Sequence, residues 1–368
     1  MSQLLKWLGT ISAILLSLLL VISILATNNT WYNRGLNDMV APLDGVDLLS
    51  LISTENHFFK QALPTDYQQR SIGNMLVSST TSLDLNNPLS LLAQGIPIMS
   101  SFDTRIVQAG EGTNLTNMPR ESTPPEEALE KLAKEHANST PTVETPATNN
   151  DGQATEPSVL IYHTHSYESY LPELGFEGDP NADKAISSDP TKNIIRVGNR
   201  FAEVLGEHDI IADVDQTNVN AYMLERDMKN YYAASRQIVT KQMDEQDYDL
   251  ILDFHRDSVR AEHTVATINN ERFARILFVV GTAHPNADAQ RKAAIELNER
   301  IEAEYPGLSR GVFEKDKSQG NGVYNQDLAD TAMLIEFGGV DNTMDESLRS
   351  AEAVAGILAD YYKETIRE

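Results

Sequence analysis

The chain has 368 residues, of which 29 are Lys or Arg and 54 are Asp or Glu, for a formal net charge of −25; it has no cysteine. The acidity argues against nucleic acid and anionic membrane surfaces as main partners, since both attract basic patches through phosphate charge. The lack of Cys removes disulfides, Cys-ligated zinc, iron–sulfur clusters and thiol nucleophiles. A hydrophobic fraction of 41% suffices for a packed core, and the length allows one large domain, or one to two with extra segments.

Residues 8–26 are apolar apart from Gly9, Thr10 and scattered serines, and none is charged. At ~1.5 Å per residue the run reaches about 28 Å, close to the ~30 Å hydrocarbon core of a bilayer. A cleaved signal peptide is the rival reading, but its apolar run is usually about 7–15 residues long. Ile24-Leu25-Ala26 is also a poor small-x-small cleavage site. Residues 1–27 are therefore expected to be a single-pass anchor in the cell membrane. Lys6 precedes the run and the next positive charge is Arg34, which places the remainder outside the cytoplasm.

Residues 28–110 have weak periodicity and read as an accessory extracytoplasmic region. Residues 111–157 are punctuated by Pro119, Pro124, Pro125, Pro141, Pro146 and Pro157 among Thr, Asn, Glu and Ser. They read as a flexible linker with one helical stretch over Glu126–His136, because the rest cannot bury enough apolar area to offset chain entropy.

From residue 158 to 368 the pattern is regular. Val159–Tyr162 is a short apolar run fit for a buried strand, and residues 193–205 put Ile194, Val197, Phe201, Val204 and Leu205 on one helical face. A strand is expected at 210–214, a helix at 224–243, and strands at 250–254 and 275–280. A helix at 287–305, a strand at 333–335 and a closing helix at 348–362 complete the series. This alternation predicts an α/β domain with a mainly parallel sheet flanked by helices, in which ligands collect beyond the carboxyl ends of the strands.

Three strands end in chemistry. The first runs into His163-Thr164-His165-Ser166-Tyr167-Glu168, the second into His255-Arg256-Asp257, and the third into Glu336-Phe337-Gly338-Gly339; the other histidines, at 57, 136, 208, 263 and 284, fall elsewhere. Two histidines and a carboxylate with an open fourth position are a common set for catalytic zinc, and a separate carboxylate must move protons to the leaving nitrogen. His163 or His165, Glu168 and His255 can supply ligands, and Glu336 the base. Blander readings exist for each: a strand-end His is often only hydrogen-bonded, Glu336 could cap the next helix or pair with Arg256, and Asp253 could be a satisfied buried acid or could orient a ligand histidine.

The run Tyr162-His163-Thr164-His165-Ser166-Tyr167-Glu168-Ser169-Tyr170-Leu171-Pro172, with Asp253-Phe254-His255-Arg256-Asp257-Ser258 and the stretch 335–346, resembles the stage II sporulation protein P family, as does the 192–198 run Lys-Asn-Ile-Ile-Arg-Val-Gly. The resemblance covers residues 158–366, and an anchor followed by a linker also matches. It implies kinship with zinc-dependent N-acetylmuramoyl-L-alanine amidases. The expected enzyme is thus a Zn2+-dependent peptidoglycan hydrolase with a further endopeptidase activity on stem-peptide cross-links. It would thin septal wall during engulfment, alongside the sporulation proteins D and M. The resemblance also implies His255 and Glu336 as ligand and catalytic acid, and His165 or His163 as the first ligand. The wider amidase group has a ligand glutamate at the start of the first helix, where this chain has Thr191-Lys192-Asn193. That leaves Glu168 or the second histidine of His-Thr-His as the other ligand. Arg256 is expected as an electrophile or a clamp on substrate carboxylates, with Asp253 and Asp257 behind the ligands. A catalytically silent wall-binding scaffold and another metal-dependent peptidoglycan peptidase are the alternatives.

Overall fold

The protein is described by a computed structural model over residues 105–114, 116–120, 124–136, 158–317 and 321–366, together with Ser53. The expected anchor at 8–26 and nearly all of the 28–100 region lie outside the described residues. Among the described residues, no helix is long and apolar enough to cross a membrane. The chain divides into two compact units, Met1–Ser100 and Ser101–Glu368, and the second contains the sheet and its helices.

In chain order its elements are β1 (Arg105–Ala109), α1 (Glu126–His136), β2 (Val159–Tyr162), α2 (Ile194–Glu207), β3 (Ala212–Val214), α3 (Val219–Glu225), α4 (Tyr231–Glu245), β4 (Leu250–Asp257), α5 (Ala261–Thr264), β5 (Val265–Ile268), β6 (Glu271–Ala274), β7 (Ile276–Gly281), α6 (Ala287–Glu304), β8 (Ser309–Lys315), β9 (Ala332–Gly339) and α7 (Met344–Tyr361). Among the described residues one seven-stranded sheet has the order β1-β8-β7-β9-β4-β2-β3, and β5-β6 form a separate hairpin. Strands β3, β2, β4 and β9 run parallel; β7 and β8 run the other way, parallel to each other, and β1 is antiparallel to β8. The expected α/β fold with a mostly parallel sheet is what the chain adopts.

Period-2 alternation divides the core between the two faces. Val159, Ile161, Leu252, Phe254, Phe278, Ile335 and Phe337 pack with Phe201 of α2, Leu297 of α6 and Val354 of α7. Their neighbours go to the other face: Leu160, Tyr162, Ile251 and Ala332 meet Val239 of α4, while Leu277, Val279, Phe313 and Leu334 surround Met118 and Tyr324. Since β4 and β9 are buried along their whole length, polar side chains at their carboxyl ends are held in a dry setting.

Four departures from the sequence reading have local causes. The helix expected over 224–243 is two helices, because Asn218 and Asn230 each cap a separate start and Asp227 between them takes φ 50°. Strand β8 was not expected, since Arg310, Glu314 and Lys315 interrupt its apolar run; all three are buried. The β5-β6 hairpin turns on Asn269 and Asn270, both at positive φ, the pattern that suits a two-residue turn. Finally, part of the expected 111–157 linker is folded. Met118 is 2% exposed in the core, Arg310 donates to the Asn117 carbonyl at 2.6 Å, and α1 packs against α3. Apolar Met118 and Ala133 repay ordering that the polar remainder cannot.

Candidate metal centre

The turn after β2 brings His165 and Glu168 to the carboxyl end of the sheet, beside His255 near the end of β4. One ligand atom from each of these three lies within 4.8 Å of the others, and all three side chains are buried. His165 Nδ1 is 3.4 Å from Glu168 Oε1, and His255 Nδ1 is 3.6 Å from Glu168 Oε2. The two imidazoles meet edge to face with centroids 4.9 Å apart.

Backbone and side-chain contacts fix this arrangement. The Arg256 amide donates to Glu168 Oε2 at 2.8 Å. Asp253, on β4 two residues before His255, lies 3.0 Å from His255 Nε2. It also receives the Thr164 amide at 2.9 Å and the Thr164 hydroxyl at 2.6 Å. One carboxylate thus braces the His-Thr-His turn and lies against the far nitrogen of His255, with Nδ1 toward the cluster. Tyr167, Tyr231 and Tyr232 enclose the His165 ring at 5.6, 5.2 and 5.8 Å.

The donor set fits a divalent cation. With one ligand atom from each residue the three lie within 4.8 Å of one another, close enough to converge on one ion at bonds of ~2.1 Å after small side-chain shifts. His165 Nδ1 is buried without a hydrogen-bond partner. The electrostatics agree. Burial pushes the Glu168 carboxyl up, but the His165 and His255 imidazoles beside it hold it well below the usual carboxylate range. Burial pushes His255 down, yet the Asp253 and Glu168 carboxylates outweigh it and hold it well above the usual histidine range. The pocket favours positive charge between its acids.

Glu336 stands directly across the β4-β9 ladder from His255, on the face of Ala332 and Leu334. Burial lifts its carboxyl to about 8, with the His255 charge working against the rise and Asp257 and Glu168 adding to it. Its Oε2 is buried without a partner. The glycines after it serve the backbone. Gly338 sits at φ 69°, and a Cβ on Gly339 would come within 2.0 Å of the Val259 carbonyl. Thr343 and Glu346 then form a capping box that starts α7, so the helix start is satisfied without Glu336.

Two expected site residues lie elsewhere. His163 is not part of the cluster: it sits on the α2 face, 6.3 Å from the Phe254 ring, its Nδ1 3.3 Å from the Asp215 carbonyl. Arg256 is buried, its guanidinium donating to the Ala185 carbonyl at 2.9 Å, so it ties down a loop. Asp257 pairs with Arg310 at 2.5 Å, a fully buried ion pair, and accepts the Arg120 amide at 2.9 Å. Sequence reading gave no role to Thr164, which reaches Asp253 from between the two histidines, or to the three tyrosines around His165.

Fold and site together define an α/β protein carrying a candidate His-Glu-His metal centre beside a buried carboxyl. The family model for stage II sporulation protein P matches residues 86–359, and the chain belongs to that family. The stage II sporulation protein P of Bacillus subtilis (strain 168) is 37% identical over 333 residues, covering 87% of this chain and 81% of the relative. Among solved structures, Cwp6 from Clostridium difficile shares 14% identity at a TM-score of 0.34, over 56% of this chain and 29% of that one. A structure from Shewanella denitrificans OS217 described as a candidate metallopeptidase shares 11% identity at a TM-score of 0.28, over 64% and 89%. Likenesses this distant carry no inference about activity.

Proposed function

We propose that this chain is a zinc-dependent N-acetylmuramoyl-L-alanine amidase, with endopeptidase activity on stem peptides, anchored in the membrane and thinning septal peptidoglycan during engulfment. The observation that carries the reading is the convergence of His165, Glu168 and His255 next to an unpartnered buried carboxyl on the neighbouring strand. Zn2+ held by these three would supply Lewis acidity toward a carbonyl and an acidic bound water.

The chain's own residues divide the remaining work. Glu168 offers one oxygen toward each imidazole, and Asp253 keeps Nδ1 of His255 turned to the cluster. Glu336, with a carboxyl near 8, is poised to hold and release a proton around neutral pH and so to carry it to the leaving nitrogen. The enclosing tyrosines exclude water from the far side of His165. Membership in a sporulation family supports the biological setting, and peptidoglycan with the sporulation proteins D and M are the partners proposed.

The test uses the full chain in detergent on purified peptidoglycan. Stem peptides bearing L-alanine at their amino ends should be released, and chelation should abolish the release. Glu336→Gln should retain metal while turnover falls at least about a hundredfold, in line with a lost general acid–base. Undiminished turnover in that variant would defeat the assignment, and products cut within the stem alone would point to a peptidase instead.

A further inference from the structure

In the loop between β8 and β9, Tyr324 and Asn325 are consecutive non-glycine residues in the left-handed region, at φ 55° and 56°. Side chains are strained there, and Asn less than most. Such backbone persists where its surroundings hold it, and it gathers at functional sites. The contacts that hold Asn325 run on to the candidate metal ligands.

Both protons of the Asn325 side-chain amide are used on α4: Nδ2 donates to the Tyr232 carbonyl at 3.1 Å and to Ser235 Oγ at 2.9 Å. From Tyr232 the support passes to both imidazoles. Its ring centroid stands 5.8 Å from that of His165 and 6.4 Å from that of His255, to which it lies within 21° of parallel. From Ser235 it passes through hydroxyls. Ser235 Oγ is 2.8 Å from Thr164 Oγ1, which is 2.6 Å from Asp253 Oδ2, and Asp253 Oδ1 lies 3.0 Å from His255 Nε2. The ends of this chain set its direction. The Asp253 carboxylate only accepts, so it takes the Thr164 proton. The Asn325 Nδ2 group only donates, which leaves the Ser235 hydroxyl to donate to Thr164. Asn325, Ser235, Thr164 and Asp253 are all buried, so losing the donor at one end strands polar atoms where water does not replace it.

We propose that Asn325 is a positioning residue for the metal centre, holding Tyr232 against His165 and His255 and closing the hydroxyl chain that ends on Asp253. It touches neither the ion nor the substrate. The inference rests on the metal-hydrolase reading and deepens it, since it assigns part of the ligand geometry to a loop remote in sequence from all three strand ends.

The experiment measures the affinity of the full-length protein for Zn2+ and Co2+ by competition with a chromophoric chelator. The visible absorption of bound Co2+ and the thermal midpoint of the metal-free protein are recorded alongside. Asn325→Gly suits the left-handed backbone and removes the amide. Ser235→Ala breaks the hydroxyl chain at a helical position that favours Ala, and it decides the matter should Asn325→Gly not fold. Gln326→Met is the control, because the Gln326 side chain bonds the Gly281 amide and the Val279 carbonyl of β7. Asn325→Gly and Ser235→Ala should each weaken metal binding about ten- to hundredfold and alter the Co2+ spectrum. Gln326→Met should lower the midpoint and keep the parent's affinity and spectrum. Parent affinity and spectrum in Asn325→Gly and Ser235→Ala, or equal losses of affinity in Gln326→Met, would overturn the positioning role and leave the metal centre standing. A parent that binds neither ion overturns both.

Discussion

His163 and His165 stand two residues apart and do unlike work. Alternation along β2 ends with Tyr162, and the chain then turns, so a period of two does not carry from one histidine to the other. His163 stays with Ile161 against α2, where a Cβ on Gly198 would lie 2.7 Å from its Nε2; the glycine and the ring fit as a pair. Only a carbonyl oxygen faces Nδ1, so Nδ1 carries the proton and the ring is neutral. Burial pushes its pKa down from 6.5 to about 4, against the pull of Asp253. The stability tied to this group is present above the unfolded value of 6.5 and is lost as pH falls toward 4, because the unfolded chain takes up the proton first. That loss amounts to about 3 kcal/mol. Denaturant melts at pH values of about 7 and 4 should therefore show the parent losing about 3 kcal/mol more than His163→Asn. Equal losses in both proteins would mean that His163 titrates as it does in the unfolded chain.

At the scale of elements, the end of the expected 28–110 accessory region and the first part of the expected 111–157 linker belong to the folded unit. Strand β1 pairs with β8, Met118 fills the space between Leu277, Val279, Phe313 and Leu334, and the Arg120 amide and carbonyl bond to Asp257 and Ser258. A chain starting at residue 158 lacks all of these. Removing a buried Met side chain alone costs about 2–5 kcal/mol, and the lost strand and bonds add to it, against a domain stability of about 5–15 kcal/mol. Such a fragment should show no cooperative thermal transition, whereas one starting at 101 should. Matching transitions would show that residues 105–136 merely rest on the sheet. The strands that carry the site were legible because β2 is an apolar run and β4 and β9 each open on one, and His255 and Glu336 follow those runs by position. Strand β8 and the 105–120 segment were not legible, since their stability comes from partners remote in sequence, such as Arg310 for Asp257 and Asn117. For the same reason Arg256 looked like a substrate clamp: the carbonyl of Ala185 to which its guanidinium donates is 71 residues away.

For the whole molecule, the packing of 105–136 on the unit that also holds 158–366 changes what the Pro- and Thr-rich stretch between them does. Residues 137–157 join two parts of one folded unit, so any tether to a membrane lies before residue 101. A net charge of −25 gives no long-range attraction to anionic wall polymers, and screening limits such forces to about 8 Å at physiological salt. On the proposed function, retention near the wall would rest on the apolar run at 8–26 and not on electrostatics. Deleting residues 8–26 should leave peptidoglycan release in solution within about twofold of the parent, since no catalytic group is touched, and should abolish function in sporulating cells by lowering the local concentration at the septum. Shortening 137–157 by a few residues should affect neither, because loop closure changes by only about 0.6 kcal/mol per doubling of length. Complementation by the 8–26 deletion would overturn the proposed role of that run in localisation. Loss of function on shortening 137–157, with the fold intact, would restore that stretch as the working tether.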